Sequence, residues 1–277
     1  MPETNRSEIR NEAGALFREG KIRAAIDACS ARLRQTPIDL GARLFLAELL
    51  VLMGDLDRAD TVLDAATRLE PAAAVTVAEF RQLLRAEIAR RQLDRDGRVP
   101  ELLGEPTPAV RALLAARVAL RAGDHAEAAR RAAEAEQQRP RVAGQLESAV
   151  FDDWRDADDL LAGVFEILTT TGKYLWIPTE QVETIEFAPP RRPRDLAWRR
   201  ANVSVRQGPD GTVYLPATYA SDEPDLADTF RLGRATEWRG QDDGEGEGLV
   251  RGVGLRIFLA GEEARDIMGL TILRFGA

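Results

Sequence analysis

Two segments in the first half of the chain repeat one pattern with a period of 34 residues. One begins at Gly20 and ends at Pro37, and the other begins at Gly54 and ends at Pro71. In each segment an apolar residue follows the glycine by two positions and an alanine follows it by five. A fixed period of this length predicts stacked repeats, in which each unit buries its apolar face against its neighbours.

A third copy of the pattern runs from Gly123 to Pro140. Pro71 and Pro140 are 69 residues apart, close to two periods, so we expect one degenerate helical pair around residues 72–103. The three copies resemble the tetratricopeptide (TPR) repeat, which is a pair of antiparallel helices. The recurring glycine would end the first helix in the left-handed conformation, and the proline would end the second.

Small residues at positions 25, 59 and 128 would let the two helices of each repeat approach closely. A TPR stack has a concave side lined by the first helix of each pair, and a groove mixing arginine with apolar side chains suits an amphipathic helix or an extended peptide. Alternatively, Phe17, Leu44 and Val51 are simply core residues. The projected concave face carries Arg10, Phe17, Leu44, Glu48, Val51, Arg117 and Arg121.

The pattern changes near residue 148, and we predict a second domain over 148–277 after a helical domain over 1–147. The acidic run 152–159 predicts the start of a helix that continues to residue 168, since acids favour a helix N-terminus. Alternating or β-branched runs then predict a mostly-β domain of five to seven strands with one or two helices. The predicted strands cover 173–178, 182–187, 201–206, 212–216, 255–260 and 270–275, with a loop at 241–248. The expected fold class is therefore α+β.

Charge is distributed unevenly between the two halves. Residues 1–150 carry 23 basic and 23 acidic side chains, whereas residues 151–277 carry 15 and 23, which accounts for the net charge of −8. An acidic half repels phosphate backbones, so we expect no nucleic acid partner there but a basic or amphipathic protein segment. The chain shows no apolar run of membrane-spanning length and no signal-peptide core, so a cytoplasmic location is expected.

The chemistry open to this chain is limited by its single cysteine, Cys29, and single histidine, His125. The usual zinc sites take most of their ligands from these residue types, so no metal site is expected. No cofactor and no small-molecule substrate are expected either. The acids from Asp152 onward lack the glycine and glutamate of a calcium loop, and a solvated helix start explains them better. We interpret His125 as a packing residue and Cys29 as a buried, inert thiol.

Four segments of the second half stand out as specific: 172–178 (GKYLWIP), 193–199 (PRDLAWR), 211–219 (GTVYLPATY) and 232–238 (LGRATEW). In this order after a TPR-like half, they resemble the ImpE/SciE family, also called TagJ, of type VI secretion accessory proteins. The resemblance implies a cytoplasmic, non-catalytic adaptor that binds the N-terminal helix of the small sheath subunit, TssB (VipA). It would thereby connect indirectly with the ATPase ClpV in sheath assembly or recycling.

The same segments supply further candidates for a partner surface, Arg194, Asp195 and Trp198, although these residues could equally fix the fold of their own domain. No catalytic residues follow from the resemblance. Two other hypotheses remain open: a generic TPR scaffold unrelated to secretion, and a hydrolase with an acidic site in the β domain. The hydrolase would require two carboxylates with displaced pKa values that converge in a pocket.

Overall fold

A computed structural model describes residues 12–240 and 248–276 of the chain. Within this part the first half is helical and the second half is built from β-strands, which confirms the α+β class. No helix among the described residues is long and apolar enough to cross a membrane. The helices are α1 (12–18), α2 (Ile22–Gln35), α3 (Leu40–Met53), α4 (Leu56–Leu69), α5 (Ala74–Asp96), α6 (Pro108–Arg121), α7 (His125–Gln138) and the short α8 (Asp228–Arg231).

The repeat pattern forms the three predicted helical pairs, α1–α2, α3–α4 and α6–α7. Gly20, Gly54 and Gly123 all adopt left-handed φ values of 79–86° between the paired helices. In the second and third pairs the aspartate after the glycine caps the next helix, because the side chains of Asp55 and Asp124 accept backbone N–H bonds. The alanines at positions 25, 59 and 128 are fully buried, as a close helix–helix approach requires.

The predicted degenerate pair around residues 72–103 is wrong. One 23-residue helix, α5, occupies this region and ends at Gly97, whose φ is 76°. The helix continues because no glycine or proline interrupts residues 74–96, which are rich in leucine, alanine, arginine and glutamate. The following irregular segment pairs with the β half: the N–H of Glu101 donates to the carbonyl of Tyr174, and the N–H of Trp176 donates to the carbonyl of Glu101.

The β half contains three sheets among the described residues. The strands are β1 (Gly144–Leu146), β2 (Ala149–Phe151), β3 (Trp154–Asp156), β4 (Val164–Thr169), β5 (Tyr174–Pro178), β6 (Val182–Phe187), β7 (Trp198–Val205), β8 (Asp210–Pro216), β9 (Thr236–Gly240), β10 (Val250–Gly254), β11 (Ile257–Ala260), β12 (Glu263–Asp266) and β13 (Ile272–Phe275). The largest sheet has eight strands in the order β2-β1-β13-β6-β7-β8-β4-β5, with antiparallel pairing throughout. Strand β10 pairs with β9, and β12-β11-β3 forms a third sheet.

The strands predicted at 173–178, 182–187, 255–260 and 270–275 are present, and so is the hairpin of β7 and β8. The estimate of five to seven strands was too low, since the described residues form thirteen. Most of the missed strands have only three to five residues, too few to show a period-two pattern. The predicted loop at 241–248 lies almost wholly outside the described residues.

The helix predicted from residue 152 is wrong, because this segment forms β3, a tight turn and β4. The carboxylate of Asp156 accepts the N–H of residue 158 at 2.9 Å, and the carboxylate of Asp158 accepts the N–H of Leu160 at 2.9 Å. Aspartate side chains that bond nearby backbone groups in this way compete with the helix ladder. Asp156 and Asp158 are therefore buried turn formers rather than part of a solvated helix start.

One buried apolar cluster is shared between the helices and the sheets. Leu83, Leu84 and Phe80 of α5 belong to the same buried cluster as Trp176 and Trp198 of the β half. A second cluster lies within the β half, around Trp154, Phe165 and Phe258. The shared cluster fixes the β half against the helical stack, and this determines which part of the stack stays open.

Candidate partner-binding site

The concave face predicted to hold a partner is largely covered by the second half of the same chain. Helix α3 packs against the 3-10 turn Pro193–Leu196, and α5 packs against β4 and β5. Val51, one of the predicted groove residues, is 4% exposed. It lines a cavity of only about 40 Å³ together with Trp198. The middle of the groove therefore has no room for a second chain.

A buried ion network joins α5 to the β half at this contact. The guanidinium of Arg90 binds the carboxylate of Glu166 through two hydrogen bonds of 3.0 and 3.1 Å. Arg256 approaches the same carboxylate at 3.0 Å and donates to Asp156 at 2.6 Å. Burial alone would raise the pKa of Glu166, but the two guanidinium groups outweigh it and hold that pKa below its ordinary value. The carboxylate is charged and shared between two cations.

Trp198, Arg194 and Asp195 also lie at this contact. The indole N–H of Trp198 donates to Glu87 of α5 at 3.2 Å, and the guanidinium of Arg194 lies 4.6 Å from the ring centre of Phe80. Asp195 accepts the backbone N–H groups of residues 191 and 192, which shapes the turn that crosses α3. Trp198 and Arg194 are buried and Asp195 is half-buried, so these side chains connect the two halves of one molecule.

The two predicted groove residues on α6, Arg117 and Arg121, differ in how far they are buried. Arg117 is 5% exposed and pairs with Asp94, and it donates to the carbonyl of Leu160 at 3.3 Å. Its guanidinium also lies 5.3 Å from the ring centre of Trp176. Arg121 is exposed, and its guanidinium packs close to Gly97 at the end of α5. Sequence spacing placed the two arginines on one face but gave no sign that the β half would cover Arg117.

The open part of the groove is at its N-terminal end. A cavity of about 350 Å³ lies between α1, α2, α3 and the crossing segment of the β half. Leu44 and Glu48 line it, and Phe17 stacks edge-on against the lining residue Phe45 with ring centres 6.0 Å apart. Arg10 lies outside the described residues. The lining consists of Ala13, Gly14, Cys29, Arg32, Gly41, Ala42, Leu44, Phe45, Glu48 and Arg192.

The cavity combines an apolar wall with an ion pair between a buried carboxylate and an exposed guanidinium. Glu48 is 6% exposed, and its carboxylate lies 3.2 Å from Nε of Arg192. Burial raises the pKa of Glu48 to about 7, even though Arg192 and Arg194 act to lower it. At the rim, Nε of Arg32 donates to Asp39 at 2.7 Å. The cavity therefore suits an apolar side chain of a partner, next to a polar group of the partner that can hydrogen-bond the carboxyl of Glu48.

Cys29 and His125 show how far single residues could be interpreted from sequence. Cys29 is 2% exposed, which confirms that the thiol is buried, and burial raises its pKa to about 11. The expectation that His125 packs in the core is wrong, because it is exposed at the start of α7. It lines a second cavity, of about 530 Å³, whose wall carries both arginines and acids.

Asp158 and Glu166 are two buried carboxylates with displaced pKa values, but the cavity that they share is too small for a substrate. Burial raises the pKa of Asp158 to about 6, while that of Glu166 is lowered, so the displaced pair exists. The cavity that both side chains line has a volume of about 10 Å³, close to the space one water requires. No group of three or more His, Cys, Asp or Glu in residues 12–240 and 248–276 could hold a metal ion.

A helical repeat stack whose groove is filled by its own β domain defines a TPR-containing α+β protein. Comparison with known families agrees: the model of the ImpE protein family matches residues 148–274, and a tetratricopeptide repeat model matches residues 16–84. The accessory component TagJ of the Pseudomonas aeruginosa type VI secretion system is 33% identical over 227 residues, covering 82% of this chain and 80% of TagJ.

The chain therefore belongs to the ImpE/TagJ family. The fold is also that of a solved crystal structure, protein VPA1032 from Vibrio parahaemolyticus, with a TM-score of 0.89 at 26% identity. That match covers 96% of this chain and 98% of the other. Together the family match and the named relative support an accessory role in type VI secretion.

Proposed function

We propose that this protein is a non-catalytic adaptor of type VI secretion that binds the N-terminal helix of the small sheath subunit, TssB (VipA). Membership of the ImpE/TagJ family and the TPR repeats support a protein partner rather than a substrate. Binding in the cytoplasm would link the sheath subunit to sheath assembly or to recycling by ClpV.

The observation that carries the proposal is the open end of the groove between α1 and α3. A helix presents apolar anchors every three to four residues, and one such anchor fits a cavity of about 350 Å³ walled by Leu44 and Phe45. The Glu48–Arg192 pair at the same wall gives a polar group of the helix a partner. The middle of the concave face is occupied by the protein's own β half, and the N-terminal end keeps an open cavity that can take an anchor of the helix.

Titration calorimetry with a synthetic peptide of the sheath subunit's N-terminal helix tests the proposal. A specific helix-in-groove contact should give a dissociation constant of about 1 μM or tighter. Leu44→Glu places a charge on the apolar wall and should weaken binding at least about tenfold. Val118→Glu is the matched control, because Val118 is 56% exposed on α6 and does not line the cavity.

No heat of binding at about 100 μM peptide would count against the adaptor itself. Binding that is equally strong in wild type, Leu44→Glu and Val118→Glu would instead move the contact away from this cavity. A scaffold unrelated to secretion would bind other peptides but not this one.

A further inference from the structure

The eight-stranded sheet has β2 as one of its two edge strands. Among the described residues, β2 is hydrogen-bonded only to β1, with Gly144 opposite Phe151 and Leu146 opposite Ala149. The other edge, β5, is already covered by the segment around Glu101. Within residues 12–240 and 248–276, β2 is therefore the one edge of this sheet that is open to a further strand.

The pairing of β1 and β2 determines which backbone groups face outward. Two residues, 147 and 148, join the strands, so the adjacent pair of Leu146 and Ala149 exchanges its hydrogen bonds inward. The next residue, Val150, occupies the alternate position, where N–H and C=O point to the open side. Its side chain is 82% exposed, which is unusual for a valine in a strand.

A cleft accompanies the open edge. It has a volume of about 610 Å³ and lies between the β1–β2 hairpin and the turn that joins β11 to β12. Its floor is apolar, formed in part by Leu146 and Phe151, and Phe151 packs on Trp154 with ring centres 5.3 Å apart. An extended segment alongside Val150 could therefore place an alternate side chain in the cleft.

The rim of the cleft is acidic. Asp152, Glu262 and Glu263 line it and are exposed, against one guanidinium, that of Arg265. Arg265 is already paired with Glu263, which leaves Asp152 and Glu262 to attract a cation. The rim belongs to the half of the chain that carries the whole net charge of −8.

We propose that this edge is a second docking surface, which binds a basic extended segment of a partner protein by strand addition at β2. Backbone bonds to Val150 supply the register, the cleft takes an apolar side chain, and lysine or arginine meets Asp152 and Glu262. This inference does not depend on the sheath-helix proposal, because the two sites share no lining residue.

A second copy of this chain is the competing occupant, since two edges could pair about a two-fold axis. That arrangement would bring the two acidic rims together, and like charges placed opposite each other are destabilising. Charge complementarity therefore favours a basic segment over self-association.

Hydrogen exchange and fluorescence anisotropy on the full chain test the proposal, with a capped octapeptide of alternating lysine and valine as the probe. The peptide should protect the Val150 amide from exchange, and a glutamate–valine peptide should not bind. Val150→Pro removes the outward N–H at an edge position where proline is tolerated, and should weaken binding about tenfold or more. Val150→Ala retains the N–H and should change affinity less than about threefold.

The double substitution Asp152→Lys with Glu262→Lys gives an independent measurement, because both side chains are exposed and neither residue belongs to β2. It should abolish binding of the lysine peptide and confer binding of the glutamate peptide. Three results would overturn the proposal: unchanged affinity in both variants, protection only at residues away from β2, or a concentration-dependent dimer that Val150→Pro abolishes.

Discussion

Glu166 shows how a single residue joins two parts of this molecule. It lies on β4, is 3% exposed, and accepts bonds from Arg90 of α5 and from the hydroxyl of Tyr174, with Arg256 beside it. A buried charge is tolerated only when paired and hydrogen-bonded, and Glu166 bridges Arg90 and Arg256, which also contact Glu87 and Asp156. Its removal takes away the one carboxylate that the two guanidinium groups share.

Replacing Glu166 with glutamine should therefore lower the free energy of unfolding by about 3–5 kcal/mol. Urea denaturation followed by circular dichroism measures the change. Glu101→Gln is the control, because the Glu101–Lys173 pair is about half exposed and its loss should cost less than about 1 kcal/mol. Equal effects of the two substitutions would contradict the role assigned to the buried network.

Glu48 predicts a specific pH dependence. Burial raises its folded-state pKa from 4.5 to about 7, so between these values the unfolded chain has lost a proton that the folded chain retains. This residue's contribution to stability is therefore greatest at low pH and declines as pH rises from 4.5 to about 7.

The unfolding free energy of wild type relative to Glu48→Gln should fall across this window by about 1–3 kcal/mol. Denaturation of both proteins at a series of pH values provides the comparison, and subtraction removes the other titrating groups. A difference that stays constant or grows with pH would show that Glu48 is not buried as described.

At the scale of elements, the sequence predicted those that combine a clear period with a clear end. The pairs α1–α2, α3–α4 and α6–α7 have both, since glycine and proline delimit apolar stripes. The segment 152–168 has acids followed by leucines and looks helical, but Asp156 and Asp158 bond their own backbone, and Arg256, distant in sequence, neutralises Asp156. Only the tertiary structure provides that arginine, so local propensity could not decide the segment.

The left-handed glycine between paired helices predicts how a substitution there affects stability. Gly123 has φ of 79° with no neighbouring atom within 4 Å of an added Cβ, so Gly123→Ala introduces backbone strain without a clash. It should destabilise the protein by about 1–2 kcal/mol. Gly104→Ala, where φ is not positive and space is equally open, should be neutral within about 0.5 kcal/mol. Equal melting temperatures of the two variants would contradict the left-handed conformation assigned to Gly123.

For the whole molecule, the shared core predicts that both halves unfold together. Helices of seven or more residues lie only in the first half of the described chain, whereas all four tryptophans lie in the second. Far-UV circular dichroism at 222 nm therefore reports mainly on the repeats, and tryptophan fluorescence reports on the β half. Both signals should give one coincident urea transition. Two separated transitions would mean that the halves are independent.

The covered groove also explains which part of the candidate site could be predicted. TPR spacing correctly grouped Leu44 and Glu48, because both lie on α3 at adjacent turns of one face. Spacing within the repeats contains no information about a later domain, so it could not show that Val51 and Arg117 are covered by Trp198 and Trp176. The segment around Arg194 and Trp198 was recognisable by resemblance, but its contact with α5 required the structure.

The most direct test of the sheath-helix proposal is a site-specific photocrosslinking map with the small sheath subunit. A crosslinkable phenylalanine analogue placed at Phe17 or Leu44 should capture the subunit's N-terminal helix, whereas the same analogue at Val118 should not. Capture confined to Phe17 and Leu44 is the result predicted by an open cavity between α1 and α3. Capture at Val118 with none at Phe17 or Leu44 would contradict it.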